Sequence, residues 1–268
     1  MSPSRTHLVL MPSYNSGTQL VAAVNAALAQ WTPVWVVIDG STDGTADEAR
    51  RMAEDNPHLK VIARERNGGK GAAVLTGVEA ALEAGFTHVL TMDADGQHPA
   101  SHIPEFMAAS LSAPAALVLG RPVFGPEVPL ERLHGRKLSV VLARWEILGP
   151  GIDDPLFGFR VYPAAPLRRA LCSTRRARGF DFDPEIAVRL VWSGTPTLNL
   201  PAPCRYVAKR DGGVSHFHYV RDNLKLAWLH ARLLSQLLFW RWPSVRRLRR
   251  GGHAICLELP SPEMKTMG

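Results

Sequence analysis

The sequence predicts an α/β fold, a mainly parallel sheet flanked by helices. Short apolar runs alternate with Ala- and Leu-rich stretches of helix length, four times over in the first half of the chain. Polar residues follow several of those runs directly, which is where a parallel sheet presents its ligand-binding loops. At 268 residues, 46% hydrophobic and 21% charged, the chain has ample material for a core and carries no signature of disorder.

The elements follow in order. Residues 7–11, 35–38, 60–63, 88–92 and 115–119 are short, mainly apolar runs that read as buried strands. Residues 18–30, 45–54, 71–84 and 101–111 lie between them and are long enough for helix. Strand, helix and strand in repetition require parallel pairing with crossovers. From 121 to 129 the chain is a Gly- and Pro-rich connection, followed by a helix at 130–148 and a loop at 149–160 that leads into a short strand. A helix at 185–192, a strand at 197–200, a long helix from 216 to about 242 and an irregular tail at 251–268 complete the prediction. The expected division is a globular domain at 1–218, a basic amphipathic helical segment at 219–250 and the tail.

Composition excludes several function classes. Cys172, Cys204 and Cys256 are odd in number and widely spaced, which rules out a disulfide scaffold, and no CxxC pair supports a zinc site. They point to a reducing compartment. The apolar run at 8–11 is too short for a signal-peptide core, and no uninterrupted apolar run reaches the ~18 residues of a spanning helix. The formal net charge of +7 is concentrated. Between Arg221 and Arg250 eight basic residues stand against one acid, Asp222, an excess equal to that of the whole chain. The body is balanced, so no nucleic-acid partner is expected. On a helical wheel Arg221, Lys225, Arg232 and Gln236 fall on one arc, with Leu226, Ala227, Leu233, Leu234, Leu237 and Leu238 opposite and Trp240 and Trp242 at the end. That pattern suits an anionic membrane surface for 233–250 and packing on the domain for 221–229. His230 and Arg241 on the apolar side argue against deep insertion.

The chemistry-bearing segments lie at the strand ends. Pro12-Ser13-Tyr14-Asn15 follows the first strand, and Asp39-Gly40-Ser41-Thr42-Asp43-Gly44-Thr45 the second. Asp39 could accept hydrogen bonds from a nucleobase or ribose, or build a turn; Asp43 and Thr45 suit a helix-entry turn. Asn67-Gly68-Gly69-Lys70-Gly71 could bring backbone N–H groups and one ammonium to a phosphate, although it lacks the spacing of a P-loop. The fourth strand runs into Asp93-Ala94-Asp95-Gly96-Gln97-His98. Two carboxylates one residue apart repel unless solvated or bridged, and a hard cation such as Mg2+ or Mn2+ bridges them while sharing substrate phosphates. Asp153-Asp154 and Arg160 surround an apolar turn, Asp183 precedes a helix and suits an N-cap, and Lys209, Arg210 and Ser215 sit in a Gly loop suited to phosphate.

As an ordered set these segments resemble the family-2 glycosyltransferases of GT-A fold, nearest to the dolichol-phosphate mannose synthase branch and its bacterial polyprenyl-phosphate relatives. The resemblance covers about residues 7–220. It implies that Pro12, Tyr14 and Asp39 hold the donor's base, with Asn15, Asn67, Lys70, Asp93, Ala94 and Asp95 also on the donor. It implies that Asp93, Asp95 and Gln97 hold Mg2+ or Mn2+ with the donor diphosphate. Asp154, Gly158, Phe159 and Arg160 match its acceptor-side motif. Ile38 stands where the family commonly has a first acid, and Phe157 where it often has Ser. Gln236 precedes Arg241-Trp242 at a spacing unlike the motif of processive members.

The implied activity is a metal-dependent, inverting transfer of sugar from a UDP- or GDP-sugar to a lipid-linked or hydroxyl acceptor at the inner face of the cytoplasmic membrane. A lipid phosphate needs no general base, and Arg121, Arg160, Lys209, Arg210 and Ser215 would hold it. A hydroxyl acceptor needs one, with Asp154 the first candidate and Asp153 the next. Nucleotidyl transfer is the alternative chemistry, and a non-catalytic basic membrane or nucleic-acid binder the alternative class. Replacing Asp95 by Ala is expected to abolish Mn2+-dependent nucleotide binding in calorimetry, whereas unchanged binding would refute the assignment.

Overall fold

A computed structural model describes residues 2–125, 130–174, 176, 178–204, 219–250 and 256–257. The first half follows the predicted repetition: strand β1 (His7–Ser13), helix α1 (Thr18–Leu28), β2 (Val34–Asp39), α2 (Thr45–Asp55), β3 (Leu59–Arg64), α3 (Lys70–Glu83) and β4 (His88–Thr91). A short 3-10 turn (Ala100–His102) then leads into α4 (Ile103–Ser112), β5 (Leu117–Phe124) and α5 (Leu130–Glu146). Next come β6 (Arg160–Pro163), α6 (Ala164–Cys172), α7 (Phe182–Trp192), β7 (Thr197–Cys204), α8 (Tyr219–Gln236), α9 (Trp242–Arg250) and β8 (Cys256–Leu257).

The eight strands form one sheet in the order β3-β2-β1-β4-β6-β5-β7-β8. Every pairing is parallel except those of β6, which runs antiparallel to β4 and to β5. The chain winds outward from β1 through β2 and β3, then returns to place β4 on the other side. The crevice between the ends of β1 and β4 is therefore a topological switch point, the usual ligand site of such sheets. The pleat sorts the apolar runs: Leu8, Leu10, Trp35 and Val37 join one core layer, and Val9, Met11, Val36 and Ile38 join the other.

Several elements differ from expectation. Strand β5 continues through Arg121 and Pro122 to Phe124, pairing with β7 as far as Cys204, where a connection was predicted. Pro122 is tolerated because β6 pairs β5 only at Val118 and Leu119, leaving the proline on a local edge. Helix α6 was not anticipated: Pro163 and Pro166 suggest a turn, yet proline is accepted at a helix start. The expected tail at 251–268 contributes Cys256 and Leu257 to the sheet edge, and the rest of it lies outside the described residues.

The predicted single helix from 216 to 242 is interrupted by a π-turn at Leu237–Arg241, and its polar arc divides: Arg221 and Lys225 face outward, while Arg232 and Gln236 turn inward. Arg232 donates to both oxygens of the buried Glu185 on α7, at 3.0 and 2.5 Å, and Gln236 accepts from Arg189. Burial alone would raise the Glu185 pKa, but hydrogen bonds from Arg232 and Arg189, with their charges, hold the carboxyl below its usual range. A buried carboxylate demands cations, and that demand turns this end of the basic arc inward. Leu229, Leu233, Leu237 and Val245 pack in the same core layer as α7. His230 is buried as well, its Nδ1 2.7 Å from Glu146 Oε1. The large hydrophobic side chains that α8 leaves exposed are Leu224 and Trp228, followed by Leu238, Phe239 and Trp240 at the π-turn, beside the exposed Arg221, Lys225 and Arg241. No described helix is long and apolar enough to cross a membrane.

One buried pair makes stability depend on pH. His7 on β1 stacks on His88 in the matching register of β4, with centroids 4.3 Å apart, and its Nε2 meets Ser110 Oγ. Burial, and secondarily His88, lowers the His7 pKa from 6.5 to about 4. The unfolded chain therefore takes up this proton first as pH falls, so stability is lost from about pH 6.5 down to about 4. The loss is expected to approach ~3 kcal/mol in urea unfolding, and His7→Phe should flatten that part of the profile.

Candidate active site

The carboxyl ends of β1, β2 and β4 gather the predicted residues into one crevice. After β1, Asn15 adopts φ 47, a left-handed conformation that asparagine tolerates. Its N–H donates to Ser41 Oγ, and its Oδ1 accepts from the Thr42 N–H at 2.8 Å, so Asn15 braces the loop after β2. Tyr14 beside it is partly exposed, and Pro12 is half-buried. Asp43 accepts from the Thr45 N–H and from the Gly17 N–H, and so ties the start of α2 to that of α1.

Asp39, at the end of β2, is buried and makes no cap for α2. Its carboxylate accepts from the Gly68 and Gly69 N–H groups and pairs with Arg64 Nε at 3.0 Å. The acid thus shapes the Asn67-Gly68-Gly69 turn that delivers Lys70. Asn67 Oδ1 accepts from the same Gly69 N–H. Gly69 has φ 83, and a Cβ there would collide with the Arg178 carbonyl, so the turn requires glycine twice over.

Lys70, the first residue of α3, crosses the crevice. Its Nζ lies 2.8 Å from Asp93 Oδ1 and 2.8 Å from Asp183 Oδ2. Burial would lower its pKa, but the Asp183 and Asp93 carboxylates outweigh that and raise it above the ordinary lysine value. Asp93 is held below the usual carboxylate range, the Lys70 charge and hydrogen bond chief among the causes that overcome its burial. Asp95 is pushed the other way by burial and by the neighbouring Asp93, with its Oδ1 accepting from the Gln97 N–H. His98 Nδ1 accepts from the Asp93 N–H at 2.9 Å, and its ring meets Phe157 and Phe159 edge-on. Ala94 between the two acids is buried in the core, so only its main chain is available to a ligand.

Among the described residues no three His, Cys, Asp or Glu side chains converge as a preformed metal cage. Asp93 and Asp95 nevertheless fit a hard cation that draws its remaining ligands from a bound phosphate, since Mg2+ and Mn2+ accept such shared oxygen sets. Asp183 Oδ1, buried and without a hydrogen-bond partner, adds a further anionic oxygen to the same crevice.

The acceptor-side residues divide. Asp153 is partly exposed, 3.9 Å from Arg121 and 3.7 Å from Arg144. Asp154 is buried and fully engaged, accepting from Arg136 Nη1 at 2.7 Å and from the Leu156 and Phe157 N–H groups. A carboxylate so occupied is a poor general base, which reverses the expected order of Asp154 and Asp153. Arg160 is also corrected. It is completely buried and donates to the carbonyls of Phe157, Pro155 and Asp183, so it organises the turn and cannot clamp an acceptor. Lys209, Arg210 and Ser215 lie outside the described residues.

Sequence reasoning missed Arg136, Arg144 and the role of Asp183. Asp183 does not cap α7, whose N-cap is Asp181, but reaches Lys70 across 113 positions of chain. No local spacing encodes such a partner. Cys204 marks where the two halves of the site meet. Its thiol is pushed up to about 11 by burial, with Arg136 opposing and Asp95 and Asp154 reinforcing, so all three charges surround one strand end.

Comparison with known proteins agrees with this architecture. Residues 8–176 match the model of glycosyl transferase family 2. The polyprenol monophosphomannose synthase of Mycolicibacterium smegmatis is 32% identical over 221 residues, covering 80% of this chain and 81% of that protein. The undecaprenyl-phosphate mannosyltransferase of Micrococcus luteus is 28% identical over 204 residues, covering 72% and 81%. Among solved structures, the Pyrobaculum calidifontis mannosyltransferase with GDP-Man and Mn2+ superposes with a TM-score of 0.60 at 19% identity, covering 93% of this chain and 77% of that one. It shares the fold.

Gly158 supplies the sharpest structural test. A Cβ there would stand 2.5 Å from Lys70 Nζ and 3.3 Å from both Asp183 Oδ1 and Asp93 Oδ2. Gly158→Ala is expected to destabilise the protein by ~1–3 kcal/mol in urea denaturation.

Proposed function

Because the chain belongs to glycosyltransferase family 2, we propose that it transfers a single sugar from a nucleotide-sugar donor to a polyprenyl phosphate, with inversion at the anomeric carbon. The family assignment sets aside nucleotidyl transfer and a purely binding role. The observation that carries the acceptor class is the charge beyond β5. Three arginines, Arg121, Arg136 and Arg144, face two carboxylates, and the buried one is spent on Arg136 and backbone donors. Such a surface attracts a phosphate and offers little as a base for a hydroxyl. A lipid phosphate is already an anionic nucleophile, so the chemistry asks the protein for positioning rather than deprotonation.

On the donor side, the loops of Tyr14–Asn15 and Asp39 frame the place for the nucleoside, and Lys70 lies beside the diphosphate position. Asp93 and Asp95, with Gln97 adjacent, would hold Mg2+ or Mn2+, which neutralises charge building on the leaving diphosphate. The mannosyltransferase names of the two relatives favour GDP-mannose as the first donor to test. Arg160 and Asp154 act as positioning residues that set the acceptor turn against this crevice.

A peripheral seat on the cytoplasmic membrane face is part of the same reading. Leu138, Val141 and Trp145 form an exposed stripe on α5, and Leu224 and Trp228 another on α8, which packs against it. Phe239 and Trp240 at the π-turn are 75% and 72% exposed, and Arg246, Arg247 and Arg250 are exposed on α9. Aromatic residues flanked by arginines suit the headgroup region of an anionic bilayer. Lys209, Arg210 and Ser215 are proposed as further phosphate contacts.

Removing the cation with EDTA is expected to abolish transfer from GDP-mannose to undecaprenyl phosphate, and Mn2+ or Mg2+ to restore it. Arg121→Ala, at an exposed side chain, should raise KM for the lipid phosphate roughly ten- to hundredfold while leaving donor KM and Tm unchanged. An unchanged lipid KM would refute the arginine cluster as the acceptor site.

A further inference from the structure

We propose that Lys70 is an internal counter-cation, holding the Asp93 carboxylate until a divalent cation and the donor diphosphate arrive together; the proposal rests on the metal reading above. The Lys70 ammonium occupies Asp93 Oδ1 at 2.8 Å, an oxygen of the very carboxylate a dication would need. Asp95 is in a different state. Among the described residues it forms no ion pair and accepts from the Gln97 N–H. One carboxylate of the pair therefore has a counter-cation within the chain, and the other has a backbone N–H.

The second carboxylate on Lys70 makes the arrangement reversible. Asp183 holds the ammonium at 2.8 Å through Oδ2, and its own place is fixed because Arg160 donates to the Asp183 carbonyl at 2.6 Å. An ammonium that releases Asp93 is therefore not stranded in a buried crevice, where an unpaired charge would be costly. Gly158 leaves the room for this. The space that a Cβ would fill is bounded by the Lys70 ammonium, Asp183 Oδ1 and Asp93 Oδ2 together. The exchange passes one ammonium between neighbouring anionic oxygens and requires no proton transfer.

Charge then dictates the order of events. A dication on Asp93 repels the ammonium, so the metal alone must displace Lys70 and binds weakly. The donor diphosphate supplies anionic oxygens that give the ammonium a new partner while Asp183 keeps hold of it. Cation and diphosphate are thereby coupled through one side chain, and each tightens the other by the same factor. Asp183 is a positioning residue in this scheme, acting through Lys70.

The diagnostic is a reversal of sign. Mn2+ binding is followed by the EPR signal of the free ion, with the full chain, first without nucleotide and then with saturating GDP or UDP. Lys70→Met is expected to bind Mn2+ alone about tenfold more tightly than the natural protein, and to bind it about tenfold more weakly when the diphosphate is present. A change in the same direction in both conditions, or in neither, overturns the proposal: tighter in both is plain long-range repulsion, and weaker in both is structural damage. Asp183→Asn, which leaves the ammonium to Asp93 alone, is expected to weaken binding of Mn2+ alone by roughly threefold or more; tighter binding overturns the proposal independently. Asp95→Ala run in parallel separates the two readings. If it leaves Mn2+ binding intact, the metal site itself is wrong, whereas its loss alongside an unmoved Lys70→Met condemns only the counter-cation.

Discussion

A guanidinium that is completely buried must have its donors engaged, and Arg160 meets that demand with main-chain oxygens. Its Nε donates to the Phe157 carbonyl, Nη2 to Pro155 and Nη1 to Asp183. These acceptors belong to the turn before β6 and to the first residues of α7, segments far apart in sequence. β6 itself is the antiparallel strand wedged between β4 and β5, so Arg160 sits opposite Thr91 on one side and Leu119 on the other. Thr91 Oγ1 completes the joint by donating to the Gly158 carbonyl at 2.8 Å. One side chain therefore fixes where Asp154, Gly158 and Asp183 stand relative to the carboxylates at the end of β4. Without it, the donor and acceptor sides would have no common frame.

Charge placement on this frame separates two kinds of chemistry. Around Lys70 the carboxylates Asp93, Asp95 and Asp183 outnumber the nearby ammonium, which leaves room for a dication. Around Asp153 and Asp154 the arginines outnumber the acids, which suits an anion. Cys204, at the end of β7, feels charges from both regions. A glycosyl transfer to a phosphate needs such an arrangement, with the leaving diphosphate and the incoming phosphate each matched to opposite charge on either side of the migrating sugar.

How much of this was legible in the sequence follows from whether the cause is local. The β-α repetition is local, because burial on both faces writes a continuous apolar run and crossovers write helix-length spacers. The Asp93-Ala94-Asp95 pair is local too, since repulsion between neighbouring carboxylates is visible without any structure. Arg160 and Arg232 were misjudged for a shared reason: a cation in a loop or on a wheel looks solvated until the buried acceptors that claim it are known. Glu185 claims Arg232, and three carbonyls claim Arg160. Asp183 looked like a helix cap because its partner Lys70 is 113 positions away. The continuation of β5 through Pro122 depended on β6 being too short to pair beyond Leu119, again a long-range fact.

The same inward pull on one end of the basic arc redefines the outer surface of the helical layer. With Arg232 and Gln236 turned to α7, the outer surface of α5, α8 and the π-turn carries exposed apolar and aromatic side chains interspersed with Lys137, Arg221, Lys225 and Arg241, and Arg246, Arg247 and Arg250 are exposed on α9. Under the proposed function, a lipid acceptor, a phosphate-binding arginine group and a membrane-suited face would belong to one functional surface. The central claim, direct displacement by a lipid phosphate on this frame, is tested most directly by the product's anomeric configuration. Sugar transferred from GDP-mannose to undecaprenyl phosphate in anionic vesicles, analysed by NMR of the isolated lipid, should show one sugar joined through phosphate with configuration opposite to the donor's. Retained configuration, or sugar found on a hydroxyl group in place of the phosphate, would contradict the account.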